Sequence, residues 1–429
     1  MKAYLSEPAV VCGAGTNAAD FFDTLTAGSQ KGLRRVECGT DADGKPKFFW
    51  AGQIADGVLN STGDRYDSRF LQILDFALNQ LDANGAVQKA ISRYGAERIG
   101  VCLGQCDNGS ELSLAAHRAL WNEGAFPKGY DLTAQGADYP ATYTARKFGV
   151  KGVSLSFATA CSSSATALVK ARQLILAGMC DAVIAGGVDI ASPTTLLGFG
   201  SLEAISPEKT NPFSANRAGI TLGEGAAFFV VSRDDVSETR IVLSGAGESS
   251  DASHMTAPLA DGSGATQAMK AALADASLAP SEIDYINLHG TGTRLNDSME
   301  ARAVAAVFGK ASGAGQNGSS TTDATPADIG CTAVPVSSTK PMTGHTLGAA
   351  GALELAACFC AIQRQRLPLH LWDGAEDSGL PRLNFVSDAH PARKITRCMS
   401  NSFAFGGCNV SLVIEKSPNP PHEPDDTKR

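Results

Sequence analysis

Short apolar runs ending in Gly or Ser, each followed by an Ala- and Leu-rich stretch, recur along this 429-residue chain and constrain its fold more than any other feature. RIGVCLG (98–104), DAVIAGG (181–187), AAFFVVS (226–232) and IDYINLHG (283–290) are the clearest. Most lack polar alternation, the pattern of strands covered on both faces by helices. The chain therefore reads as an α/β protein. The pattern also repeats. VVCGAG at 10–15 returns as VLSGAG at 242–247. GVSLSFATACSSSATALVKARQLI and AVPVSSTKPMTGHTLGAAGALELAACF both read as strand, loop with reactive residues, then small-residue helix. This predicts duplicated α/β halves joined near 232–240, residues 1–235 and 236–415, followed by a tail at 416–429. Two packed units also suit a chain longer than one core comfortably serves.

A net charge of −8 argues against nucleic acid or an anionic membrane as the main partner, since either calls for a basic surface. Eleven cysteines without CxxC spacing, beside seven histidines, fit a reducing compartment better than a disulfide framework or a zinc site. The opening MKAYLSEPAVVCGAG places Glu7 and Pro8 where a signal peptide needs an apolar stretch, so a cytoplasmic location is expected. ASGAGQNGSSTTDATPADIG (311–330) and the tail are too polar to bury much surface and are expected to be mobile.

Cys161, in FATACSSS, follows an apolar run and opens a helical stretch. At a helix N-terminus, free N–H groups and the helix dipole stabilise a thiolate, so a lowered pKa is expected, and the same N–H groups can hold an oxyanion. A buried structural cysteine is the plainer alternative for any one of eleven. His289 ends the run IDYINLHG at a Gly/Thr loop, a place where a rigid scaffold presents side chains to ligands. Its alternative is a loop histidine bonded to backbone. His345 precedes a helix of small residues, with Lys340 five positions earlier, and NSFAFGGCN (401–409) sets Phe403 and Phe405 beside a Gly-Gly pair that permits close backbone approach. Alone, these would be a solvated Lys–His loop and a simple turn.

Together, TACSSS, NLHGTGT, STKPMTGHTLGAAGALE and NSFAFGGCN resemble the elongating β-ketoacyl-[acyl-carrier-protein] synthases of the thiolase superfamily, over about residues 10–415. The resemblance implies a thiolase fold, an αβαβα layering of the two halves. It implies Cys161 as nucleophile, His289 and His345 as promoters of malonyl decarboxylation, and the N–H groups of Cys161 and Phe405 as an oxyanion hole. Lys340 is implied to pair with Glu300, and Phe405, with Phe403 beside it, to gate the acyl pocket. Thr291, Thr293 and Thr256 are implied to line the phosphopantetheine path, with His254 nearby but not catalytic, and Arg65 and Arg69 to dock the acidic carrier. No metal or nicotinamide is implied, because substrates ride on acyl carrier protein. The expected assembly is a homodimer, with a heterodimer beside a chain-length-factor-like protein as the alternative.

Three departures bear on substrate. The opening AYLSEPAVVCGAG is shortened, a style similar to ketosynthases of aryl polyene and other specialised polyene or polyketide pathways. Ala404 and Cys408 replace a Gly and a Thr of the gate loop, and GQCDNG (104–109) is polar where fatty-acid enzymes tend to be apolar. Other classes fit less well. A thiolase pairs its cysteine with a second catalytic cysteine in its last motif; NSFAFGGCN does contain Cys408, yet the His289, Lys340 and His345 set is not the thiolase pattern. Initiating ketosynthases place asparagine where His345 stands, a non-catalytic chain-length partner usually lacks the nucleophile, and GAG at 13–15 is an incomplete dinucleotide fingerprint.

Overall fold

The computed structural model describes residues 2–40, 43–107, 109–311 and 329–418. The polar stretch expected to be mobile lies outside these residues except at its ends, as does the tail beyond residue 418.

Ten strands build the two halves. The first half holds β1 (Ala9–Cys12), β2 (Ile99–Gly104), β3 (Ser154–Phe157), β4 (Ala182–Asp189) and β5 (Gly225–Ser232). The second holds β6 (Ile241–Ser250), β7 (Tyr285–Asn287), β8 (Pro335–Ser337), β9 (Arg397–Phe403) and β10 (Cys408–Lys416). In each half the order and directions are the same. β1 pairs antiparallel with β5, β5 antiparallel with β4, β4 parallel with β2 and β2 parallel with β3. In turn β6 pairs antiparallel with β10, β10 antiparallel with β9, β9 parallel with β7 and β7 parallel with β8. The short strand Tyr4–Leu5 lies between β5 and β6 and stitches the two sets together.

Seven helices complete the layers: α1 (Arg69–Ala83), α2 (Ala86–Tyr94), α3 (Tyr139–Phe148), α4 (Ser163–Leu176), α5 (Ser263–Ala276), α6 (Arg294–Phe308) and α7 (Ala350–Arg364). Strand alternation assigns each face. Ile184 packs with α1–α3, whereas its neighbours Val183 and Ala185 turn inward to α4 and α7. Likewise Cys398 and Leu412 face α4 and α7, and Met399 and Val413 face α5 and α6. The result is an αβαβα sandwich, the thiolase fold, in which α4 and α7 form the middle layer. Both middle helices are built of small residues because they must approach strands and each other closely. A Cβ on Gly104 would sit 2.3 Å from the backbone of Ser163, and one on Gly351 would sit 2.8 Å from the Ala165 methyl. The segment Leu347–Arg364 is long and apolar enough to cross a bilayer by composition, but it is 89% buried inside the protein. A helix apolar all round is expected in a middle layer.

Candidate active site

The duplication brings the reactive residues together. After β3, Ala160 adopts φ +51° and opens a 3-10 turn, Ala160–Ser162, that leads into α4. After β8, Leu347 adopts φ +50° and opens the matching turn, Leu347–Ala349, ahead of α7. Such a φ is costly for a residue with a side chain and persists only where the surroundings dictate it. Cys161 stands one residue after the first of these positions, and His345 two residues before the second. His345 is fixed by its backbone: its N–H donates to Thr221 O at 2.7 Å and its carbonyl accepts from Gly223 N–H at 2.9 Å.

His289 enters from the end of β7. Its N–H and that of Gly290 donate to the two carboxylate oxygens of Glu300 at 2.8 and 2.7 Å. The N–H groups of Thr291 and Gly292 donate to Asp297 Oδ1, both at 3.1 Å. Two acids near the start of α6 thus shape the loop that presents His289. Burial pushes the Glu300 carboxyl up to about 8 and the Asp297 carboxyl to about 6, and the donated N–H bonds pull both back.

The Cys161 sulfur and one ring nitrogen each of His289 and His345 all lie within 4.8 Å of one another. The two imidazoles meet edge to face, with centroids 5.2 Å apart. Burial, together with the nearby Lys340 charge, holds both well below the usual histidine range, so both are neutral. Both ring nitrogens of His345 lack hydrogen-bond partners among the described residues. Lys340 Nζ lies 3.3 Å from His289 Nδ1 and also donates to the His289 carbonyl. An ammonium can only donate, so Nδ1 accepts and Nε2 carries the proton. Cys, His and His are a donor set a metal could use, but the ammonium beside His289 opposes a cation there.

Two expectations are corrected. Lys340 pairs with Glu354 of α7 and not with Glu300, whose oxygens are occupied by backbone N–H groups. The Cys161 thiol is not lowered toward neutrality. Burial pushes it up to about 11, with Asp189 and Glu354 adding to the rise, and Lys340 and the Phe405 N–H only partly offset this. The resting group is a thiol. Glu354 had a sequence signal: a lone acid inside AGALELAACFC must be paired once that helix is buried.

Three spaces meet at Phe405. An outer cleft of about 390 Å³ is bordered by Thr256, Thr293, Asn296, Phe403 and Phe405. A cavity of about 10 Å³ lies among Cys161, His289, Thr291, His345 and Phe403. A second pocket of about 390 Å³, open at the surface of the single chain beside the exposed Cys106 and Thr194, is bordered by these two with Asp107, Cys161 and Phe405. The Phe405 ring also packs against Phe199, centroids 5.9 Å apart, and its loop is tied to the 251–258 segment by Gly406 N–H to Met255 O at 2.8 Å. His254 stays at the surface, bonded to its own loop.

The two arginines expected to dock a carrier separate. Arg65 is exposed and paired with Asp131 at 2.9 Å. Arg69 is instead structural, its guanidinium clamped on the buried Glu224 and on the Ile54 carbonyl.

A duplicated sandwich that sets a buried cysteine beside two neutral histidines defines an acyl-transferring condensing enzyme of thiolase fold. The chain belongs to the β-ketoacyl synthase family, whose N-terminal domain matches residues 12–236 and C-terminal domain residues 241–371. It is 33% identical to 3-oxoacyl-[acyl-carrier-protein] synthase 2 of Coxiella burnetii, across 95% of this chain and 96% of that protein. It is 35% identical to the ketosynthase ApeO from Xenorhabdus doucetiae, solved in complex with its chain length factor ApeC, with a TM-score of 0.83 over 97% of this chain and 98% of that one. A β-ketoacyl synthase from Burkholderia phymatum is 26% identical, with a TM-score of 0.78, covering 97% of this chain and 100% of that one.

Proposed function

We propose that the protein is a 3-oxoacyl-[acyl-carrier-protein] synthase that joins a Cys161-bound acyl chain to malonyl carrier protein, acting in the cytoplasm without metal or nicotinamide. The convergence of Cys161, His289 and His345 at the junction of the three spaces carries this reading. In the first half-reaction the Cys161 sulfur attacks the acyl thioester while its proton passes to a neutral imidazole. The acyl–sulfur bond to the carrier breaks, and the carrier thiolate takes that proton as it leaves. The acyl-enzyme splits one difficult step in two. In the second, malonyl carrier protein follows the outer cleft past Thr256, Thr291 and Thr293. The carboxylate leaves as CO₂, and its bonding pair becomes the enolate, whose oxygen accepts hydrogen bonds from His289 Nε2–H and His345. Donors fixed in advance favour charge that appears only in the transition state. The enolate carbon attacks the acyl-enzyme, and the N–H groups of Cys161 and Phe405 hold the oxyanion; its collapse breaks the carbon–sulfur bond, and the released Cys161 thiolate takes a proton from water to regain the resting thiol.

The acyl chain reaches the second pocket, bordered by Cys106 and Asp107, past Phe405. That pocket contains Asp107, which is buried and bonded to the Ser192 hydroxyl. A carboxylate there opposes a long saturated chain. This disfavours a fatty acyl substrate, and the choice of a polyene or polyketide one rests on the shortened opening of the chain. Acyl carrier protein is the substrate-bearing partner, and the likeness to ApeO supports a chain-length-factor-like second subunit beside the homodimer expected from the family. The test is product mass after mixing the protein with malonyl carrier protein and saturated, polyenoyl or aryl-acyl carriers. A 3-oxo product two carbons longer, formed preferentially from unsaturated donors and lost in Cys161→Ala, is expected. Preference for long saturated donors would overturn the pathway, and failure of every donor to load would overturn the activity.

A further inference from the structure

The throat between the outer cleft and the Cys161 cavity contains one polar group with no task in the scheme above. Asn296, in the first turn of α6, borders both spaces. It is 6% exposed, and its side-chain NH₂ has no hydrogen-bond partner among the described residues. Apart from His345, whose ring is assigned to the enolate, the neighbouring polar side chains are engaged: Asp297 and Glu300 accept loop N–H groups, and the Thr291 and Thr293 hydroxyls lie 3.1 Å apart as a pair. A buried donor left unpaired is destabilising, so one on a side chain that borders a substrate passage is a group awaiting a substrate acceptor.

Of the groups a malonyl thioester carries through this throat, only the carboxylate is anionic. Lys340, buried just behind His289, is already bound by Glu354 and the His289 carbonyl. We propose that the Asn296 side-chain NH₂ donates a hydrogen bond to the malonyl carboxylate and so selects the extender from other acyl groups on the carrier. The assignment rests on the ketosynthase reading. Its place in the first turn of a 15-residue helix adds the positive end of the helix dipole. A neutral donor also suits the chemistry. An ammonium would stabilise the carboxylate most in the ground state, whereas charge must leave that group as CO₂ departs. An amide orients the carboxylate without holding it back to the same degree.

Loading and extension separate the possibilities, because an acyl donor carries the thioester but no carboxylate. In Asn296→Ala, KM for malonyl carrier protein should rise about tenfold, as for a lost hydrogen bond to a charged group, while acyl loading of Cys161 stays within about twofold. Asn296→Asp should depress extension further by repulsion and still load. An unchanged KM would overturn the assignment. So would loading slowed as much as extension, which would mark a contact to the thioester or a packing role. A wild-type protein that loads Cys161 but never extends it would refute the ketosynthase reading itself, an outcome distinct from a defect confined to the Asn296 variants.

Discussion

Replacing Glu354 by alanine isolates what holds Lys340, and through it His289. Lys340 is 1% exposed, and among the described residues its ammonium reaches only Glu354 Oε1, the His289 carbonyl and His289 Nδ1. Removing the carboxylate leaves a buried ammonium facing one carbonyl and one ring nitrogen, and breaking such a pair from one side costs about 3–5 kcal/mol. Replacing both partners by apolar residues of similar volume, Lys340→Met with Glu354→Leu, removes the stranded charge and should restore most of that loss. Activity should not follow. Without the ammonium, nothing fixes His289 Nδ1 as the acceptor, so extension stays impaired in the double variant even as stability returns. The assay is denaturant unfolding of the wild type, both single variants and the double variant, read beside the rate of malonyl-dependent extension. A Glu354→Ala cost below about 1 kcal/mol, the value of an exposed pair, would refute the reasoning. So would a double variant no more stable than Glu354→Ala.

Other outcomes follow from the same geometry. With the Cys161 thiol pushed up to about 11, only the rare thiolate reacts with iodoacetamide, so alkylation should rise about tenfold per pH unit from 7 to 10 without a plateau. A plateau near pH 8 would restore the helix-dipole expectation. Phe405→Ala removes the ring shared by all three spaces and should speed loading while flattening the preference among acyl donors; competition between mixed donors reads this. Arg69→Ala strands the buried Glu224 and should lower stability by several kcal/mol without a specific effect on KM for the carrier. A carrier-specific KM increase with unchanged stability would return Arg69 to docking.

The fold was legible because continuously apolar runs at recurring spacing leave few alternatives to a covered, duplicated sheet. VVCGAG and VLSGAG do fall on matched strands, β1 and β6, although residues 13–15 lie in the turn after β1 and residues 245–247 within β6. The meeting of Cys161, His289 and His345 was legible because each ends a strand or opens a central helix, where duplication brings them to one point. Lys340's partner was not. Glu300 and Glu354 are both buried acids, and only the three-dimensional path of the His289 loop shows that Glu300 is used up by two backbone N–H groups. The Cys161 pKa was misjudged for a related reason. A helix N-terminus can be read from sequence, but the burial that outweighs it comes from residues as distant as Phe405. Asn296 carries no local signal at all, since an asparagine in a first turn is ordinary until the cavity beside it is seen.

The most direct test is to incubate the protein with an acyl carrier, digest it, locate the acyl group by mass, and then add malonyl carrier protein. The account predicts one acyl group on Cys161 alone, released as a 3-oxoacyl carrier two carbons longer with CO₂. An acyl group on Cys106 or Cys408, or one on Cys161 that malonyl carrier protein cannot discharge, would contradict it.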